Sequence, residues 1–178
     1  MSPITVDSLR FAFPAGWRVS KYDEWSYYRN RFCKLRANIK AVDLIAVDND
    51  KTVWLVESKD YRFYQRANPH SLIDDVRDKV ILTLSGIVAA RFNAVERTEI
   101  DMATRVVKAK KIRVVLHLEQ RLTTSRLFPR VYKLADVQQK LRSLLKCIDA
   151  HPLVVESSNM GRLSWSVTPV KPSVAPSI

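Results

Sequence analysis

Residues 41–59 read AVDLIAVDNDKTVWLVESK, and this stretch restricts the fold more than any other part of the chain. Segments 41–48 and 52–59 are rich in β-branched and other apolar residues, with the turn-forming Asn49-Asp50-Lys51 between them. Two strands joined by so short a turn pair antiparallel. With a three-residue turn, Asp48 pairs with Thr52, and the same register sets Asp43 opposite Glu57. Side chains alternate between the faces of a strand, so Asp43, Ile45 and Val47 share a face with Val53, Leu55, Glu57 and Lys59. Directly opposed side chains lie about 5 Å apart at Cβ. Two carboxylates and a lysine thus meet on one sheet face, where the apolar run 53–56 ends.

Apposed carboxylates repel one another when both are ionised and dry. A hard divalent cation removes that penalty, since Mg²⁺ takes one or two carboxylates together with waters and phosphate oxygens. A nearby ammonium orients a water or stabilises charge on a phosphate. The arrangement resembles the PD-(D/E)xK nuclease superfamily, with Asp43 in AVDLIAV and Glu57-Ser58-Lys59 in WLVESKDY as the matching residues. Ala41-Val42 stands where the family motif has a proline before the aspartate.

The resemblance covers residues 21–118 and implies a restriction-endonuclease-like core, an α/β (α+β) fold with a central mixed sheet flanked by helices in the order α-β-β-α-β. It implies Asp43 and Glu57 as metal ligands, Lys59 as the residue serving the attacking water, and the Ser58 carbonyl as a further ligand. Many members add a glutamate from the first helix, for which Glu24 is the candidate here. The implied activity is a deoxyribonuclease, more an endonuclease than an exonuclease, using Mg²⁺ with Mn²⁺ as a substitute.

Around the hairpin, Trp25, Tyr28, Phe32, Leu35 and Ile39 recur at helical spacing and predict one helix over 21–40. Ile73, Val76, Val80 and Leu84 predict a long helix over 71–92, and IRVVLHL predicts a strand over 112–118. A further amphipathic helix is expected over 134–148, with short strands at 153–155 and 163–167. Residues 1–19 suit a loose strand or turn. The reading is a single domain over 1–168, with the proline-rich 169–178 as a flexible tail.

The chain has 178 residues, with 30 Lys and Arg against 18 Asp and Glu, a net charge of +12. That excess points to a polyanionic partner, nucleic acid first and an anionic membrane second; the resemblance implies DNA, with RNA possible and no membrane. Candidate contacts are Lys108, Lys110, Lys111 and Arg113 at the start of the 112–118 strand, with Arg105 beside them. Arg62 and Tyr64 just after the ExK triplet join them, beside Tyr61 and Phe63. A second basic group is Arg121, Arg126, Arg130 and Lys133. Two cysteines exclude a disulfide framework, and three scattered glycines exclude a glycine-rich phosphate loop. No stretch reads as a membrane anchor, and an intracellular, cytoplasmic protein is expected. A homodimer, or a protein partner conferring specificity, would fit the resemblance.

Two rival readings share these residues. One is a non-cleaving nucleic-acid-binding module, or a subunit of a nuclease complex, of the same fold. The other is a basic α/β interaction domain, with RNA as a candidate partner, in which the triplet is accidental. Lesser candidates have duller roles: Asp60 in a salt link with Arg62, Asp48 and Asp50 in the turn, Lys79 and Arg77 as solvated helix charges. Gln65 and His70 sit on the loop after the motif, His117 reads as a satisfied core histidine, and Cys33 as a small buried hydrophobe.

Overall fold

A computed structural model describes residues 3–62, 69–121 and 132–170, with the side chains at 69–71 left aside. Three N-terminal strands, β1 (Ile4–Val6), β2 (Leu9–Ala12) and β3 (Arg18–Lys21), lead into a 3₁₀ turn (Tyr22–Glu24), a short helix α1 (Ser26–Asn30) and a second 3₁₀ turn (Phe32–Lys34). The hairpin follows as β4 (Leu44–Val47) and β5 (Thr52–Asp60). Helices α2 (Pro69–Asn93) and α3 (Arg97–Val107) lead to β6 (Lys111–Glu119). The chain then forms α4 (Leu134–Leu145), β7 (Leu153–Val155) and β8 (Ser166–Pro169).

Five strands form a mixed sheet in the order β3-β4-β5-β6-β7. Its first three strands are antiparallel, and β5, β6 and β7 run parallel, with α2–α3 and α4 as the crossovers. One face carries Ile45, Val47, Val53 and Leu55, packed against Val76 and Val80 of α2, Met102 and Val106 of α3, and Leu141 of α4. The opposite face, through Leu44, Ala46, Val56 and Val115, packs on the small sheet β1-β2-β8. The fold is therefore α+β, with a central mixed sheet under a helical layer.

The hairpin keeps the expected register, with Leu44 opposite Val56 and Val47 opposite Val53. Asp48 closes its turn: its N–H donates to the Thr52 carbonyl, and its Oδ1 accepts from the N–H groups of Asp50 and Thr52. The predicted helix over 21–40 is corrected to three short turns. Tyr22 and Trp25 are buried, but Leu35 is 72% exposed, so no continuous apolar face exists there. The break has tertiary causes. The Glu99 carboxylate of α3 accepts from the N–H groups of Ser26 and Tyr27, fixing where α1 starts. Tyr22 and Phe32 both close on Gly86 of α2, where an added Cβ would sit 2.1 Å from the Tyr22 hydroxyl.

Helix α3 and the edge strand β3 lie outside the sequence expectations. The 163–167 strand begins later, at Ser166, and extends through Pro169 into the stretch assigned to the tail. Among the described residues, no helix is long and apolar enough to cross a membrane.

Candidate functional site

The site forms where β4 begins and β5 emerges from the core. Asp43 immediately precedes β4 and is fastened from two sides. Its Oδ2 accepts from the Ser58 N–H at 2.7 Å, and its carbonyl accepts from the Tyr22 N–H at 3.1 Å. The neighbouring Val42 N–H donates to the Thr83 Oγ1 of α2 at 3.0 Å, with both residues fully buried. Opposite Asp43, Glu57 is 1% exposed. Its Oε1 receives the Lys59 ammonium at 2.5 Å and the Lys79 ammonium at 2.6 Å. Lys79 also lies 3.9 Å from Asp43 Oδ1. The other oxygen, Glu57 Oε2, is buried with no hydrogen-bond partner.

The electrostatics show a strained neutrality. Two carboxylates and two ammoniums cancel in formal charge. Even so, burial followed by the Asp43 charge pushes the Glu57 carboxyl above its usual range, against the pull of both lysines. Burial likewise raises Asp43, outweighing Lys79, the Ser58 N–H and Lys59. Burial acts to lower Lys59, but Glu57 and Asp43 prevail and hold it above its ordinary value. Buried ion pairs recover little of their desolvation cost, so such a cluster is poor material for stability. Perturbed carboxylates in this setting point to a site for a ligand.

Asp43, Glu57 and Lys59 come together as expected. Lys79 joins them instead of lying solvated, at 15% side-chain exposure. The signal for it was present in the sequence. Lys79 stands among Val76, Val80 and Thr83, all fully buried, and so shares the inward stripe of α2. Glu24 does not join. It is exposed, pairs with Lys21 at 2.8 Å, and that contact holds its carboxyl below the usual range. Its neighbour Asp23 is the acid that feels the site: burial and then the Asp43 charge raise its carboxyl, and its Oδ1 is buried and unpartnered. Among the described residues, no group of three or more His, Cys, Asp or Glu side chains comes together as a metal cage.

The basic candidates scatter. Lys111 pairs with Thr52 in the β5–β6 register, whereas Glu57 pairs with Leu116, which puts Lys108, Lys110, Lys111 and Arg113 at the other end of the sheet from the carboxylates. Arg113 is held by Asp149 at 3.3 Å and donates to the His151 carbonyl. Arg62 binds Asp60 through a 2.6 Å ion pair, as expected for Asp60. Phe63, Tyr64, Gln65, Arg126 and Arg130 lie outside the described residues, as does the His70 side chain. His117 is buried and shares Glu119 Oε1 at 2.8 Å, but its Nδ1 has no partner, so it is half satisfied. Cys33 is partly exposed, not buried.

No family model and no solved structure matches the chain. A curated relative does: the chain is 32% identical over 167 residues to a cysteine–tRNA ligase of Neisseria meningitidis serogroup A / serotype 4A. The match takes in 77% of this chain and 24% of the ligase, so the chain spans about a quarter of the length of that relative. This finding corrects the functional expectation. The relative is named for joining an amino acid to tRNA, not for cutting DNA, and the readings of deoxyribonuclease, endonuclease and hydrolase, with DNA as the partner, are withdrawn. The basic cluster at the start of β6 stands at the far end of the sheet from the carboxylates.

Proposed function

We propose that this chain is an RNA-binding module of the tRNA-charging kind, and that it holds a backbone phosphate of tRNA at the Asp43–Glu57–Lys59–Lys79 cluster. The observation that carries this reading is Glu57, a carboxylate 1% exposed that is shared by two lysines and leaves one oxygen unpartnered. The similarity to a cysteine–tRNA ligase supports tRNA as the class of RNA, and the net charge of +12 supports a polyanion. The matched part is a quarter of the ligase, and the role proposed for this chain is recognition of tRNA. The cytoplasm, where tRNA is charged, is the proposed place of action.

The residues fit a divalent cation. Glu57 Oε2 is a buried acceptor without a donor, Asp43 lies opposite it, and both are raised toward protonation, which a cation would reverse. Asp43, Glu57 and the Ser58 carbonyl would hold Mg²⁺, or Mn²⁺ in its place. The cation would neutralise the carboxylates and attract a phosphate oxygen. Lys59 and Lys79 would then donate to that phosphate in place of Glu57. The proposed kinship with the PD-(D/E)xK superfamily is one of scaffold, resting on the strand–strand–helix–strand order and on this cluster.

Calorimetric titration with Mn²⁺ tests the reading. The wild-type chain should take up one cation, and Glu57→Gln should take up none while keeping the wild-type fold by circular dichroism. Equal uptake by both would refute it.

A further inference from the structure

Two hollows beside the open edge of the main sheet share Arg18, Asp101 and Arg105, and so join into one groove between β3 and α3. Their volumes are about 710 and 550 Å³. Strand β3 is the outer strand of its sheet, so the groove runs along an unpaired strand edge. Lys51 and Lys108 complete its far end.

The charges along it do not balance. Arg18, Lys51, Arg105 and Lys108 are all exposed. Among the described residues none of the four has a carboxylate partner, whereas the groove's acids are already engaged. Asp101 pairs with Arg97 at 3.3 Å. Asp48 gives both oxygens to the hairpin turn and to the Trp54 indole N–H. Glu24 pairs with Lys21, and Glu99 caps α1. Four cations without an ion-pair partner therefore line one channel, against two carboxylates, Asp48 and Glu99, that are held by N–H groups and keep their charge. Its direction is set by the β3–β4 pairing: Lys21 lies opposite Leu44, next to Asp43, and Arg18 lies opposite Val47, next to the turn. The groove begins beside the carboxylate cluster and leads away from it along the sheet edge.

We propose that this groove is a second binding site, for the sugar-phosphate backbone of RNA, and that Arg18, Lys51, Arg105 and Lys108 neutralise successive phosphates of a strand leaving the cluster. The proposal rests on the reading of this chain as an RNA binder. Each neutralised phosphate releases counterions, and the count is read from the salt dependence of binding.

The experiment is fluorescence anisotropy with a labelled tRNA transcript across a salt series. It compares wild type, the quadruple alanine variant of those four residues, Glu57→Gln, and an Arg142→Ala/Lys146→Ala control on the exposed side of α4. The quadruple variant should bind at least about 10-fold more weakly at moderate salt, and its slope of log K against log salt should shrink by roughly 3, at about 0.7–0.9 per lost phosphate contact. The control should stay within about twofold, and Glu57→Gln should keep the wild-type slope to within about one contact. Circular dichroism checks that the quadruple variant is folded. A folded quadruple variant with wild-type affinity and slope overturns the groove and leaves the RNA reading standing. A wild-type chain that does not bind tRNA overturns that reading, and the groove with it.

Discussion

Lys79 places its ammonium 2.6 Å from Glu57 Oε1 from across the helical layer, 22 residues further along the chain. With Lys59 on the same oxygen, Glu57 has two cations and still an idle oxygen. A single buried carboxylate needs one partner to be tolerated. The second cation balances the nearby Asp43, and the idle oxygen is what the proposed cation would take up.

The cluster gives the chain a pH signature. Glu57 and Asp43 both titrate above their ordinary values in the folded state. The folded chain then binds more protons than the unfolded one above the ordinary carboxylate range, so these groups make stability fall as pH rises through that window. Glu57→Gln removes the contribution. The melting temperature of the variant relative to the wild type should therefore shift in the variant's favour as pH rises above about 5, with the shift vanishing toward pH 4. Thermal unfolding at a series of pH values measures it, and Mg²⁺ should reduce the shift from the wild-type side alone.

Glu119 has the opposite sign. Although burial opposes ionisation, His117 and the Ser157 hydroxyl and N–H outweigh it and hold the carboxyl down at about 2. Its stabilising effect is present above an unfolded value near 4.5 and is lost as pH falls from there toward 2. Glu119→Gln should flatten acid unfolding in that interval and change little of its slope at neutral pH, as followed by tryptophan fluorescence.

Thr83 holds the approach to Asp43 by accepting the buried Val42 N–H. Thr83→Val keeps the shape and removes the acceptor, so the N–H is left unpaired at a cost of about 1–3 kcal/mol. Urea unfolding should show that loss with an unchanged m-value. Mn²⁺ uptake should weaken as well, because Asp43 is the next residue.

Gly86 should defy its helix propensity. Replacing a glycine inside a helix by alanine ordinarily gains about 1 kcal/mol. Here the new methyl would meet the Tyr22 hydroxyl at 2.1 Å and the Phe32 ring at 3.0 Å. Gly86→Ala should instead destabilise the chain by about 1–3 kcal/mol, measured by the same urea titration.

The hairpin was legible because its side-chain period of two and its short turn leave one register that buries Ile45, Val47, Val53 and Leu55 together. That register alone brought Asp43 to Glu57. The segment 21–40 was misleading because its aromatic spacing mimics a helix. Tyr22 and Phe32 are placed by Gly86 on α2, and α1 is started by Glu99 on α3, contacts more than 50 residues away that no local pattern reveals. The same rearrangement explains why Asp23, not Glu24, feels the site. Lys79 could have been read from its place on the buried stripe of α2. The basic residues before β6 could not be set against the cluster without knowing that β5 and β6 run parallel, which sends their starts and ends to opposite edges of the sheet.

On the proposed reading, the cluster joins a cation to an RNA phosphate. Its most direct test is the affinity for a tRNA transcript at constant ionic strength, with Mg²⁺ and with EDTA, in the wild type and in an Asp43→Asn/Glu57→Gln double variant. Comparing the two proteins on the same transcript cancels the effect of Mg²⁺ on the RNA itself. Mg²⁺ should tighten binding by the wild type at least about 10-fold more than binding by the variant, about 1.4 kcal/mol of coupling. Equal effects of Mg²⁺ on both proteins would contradict it.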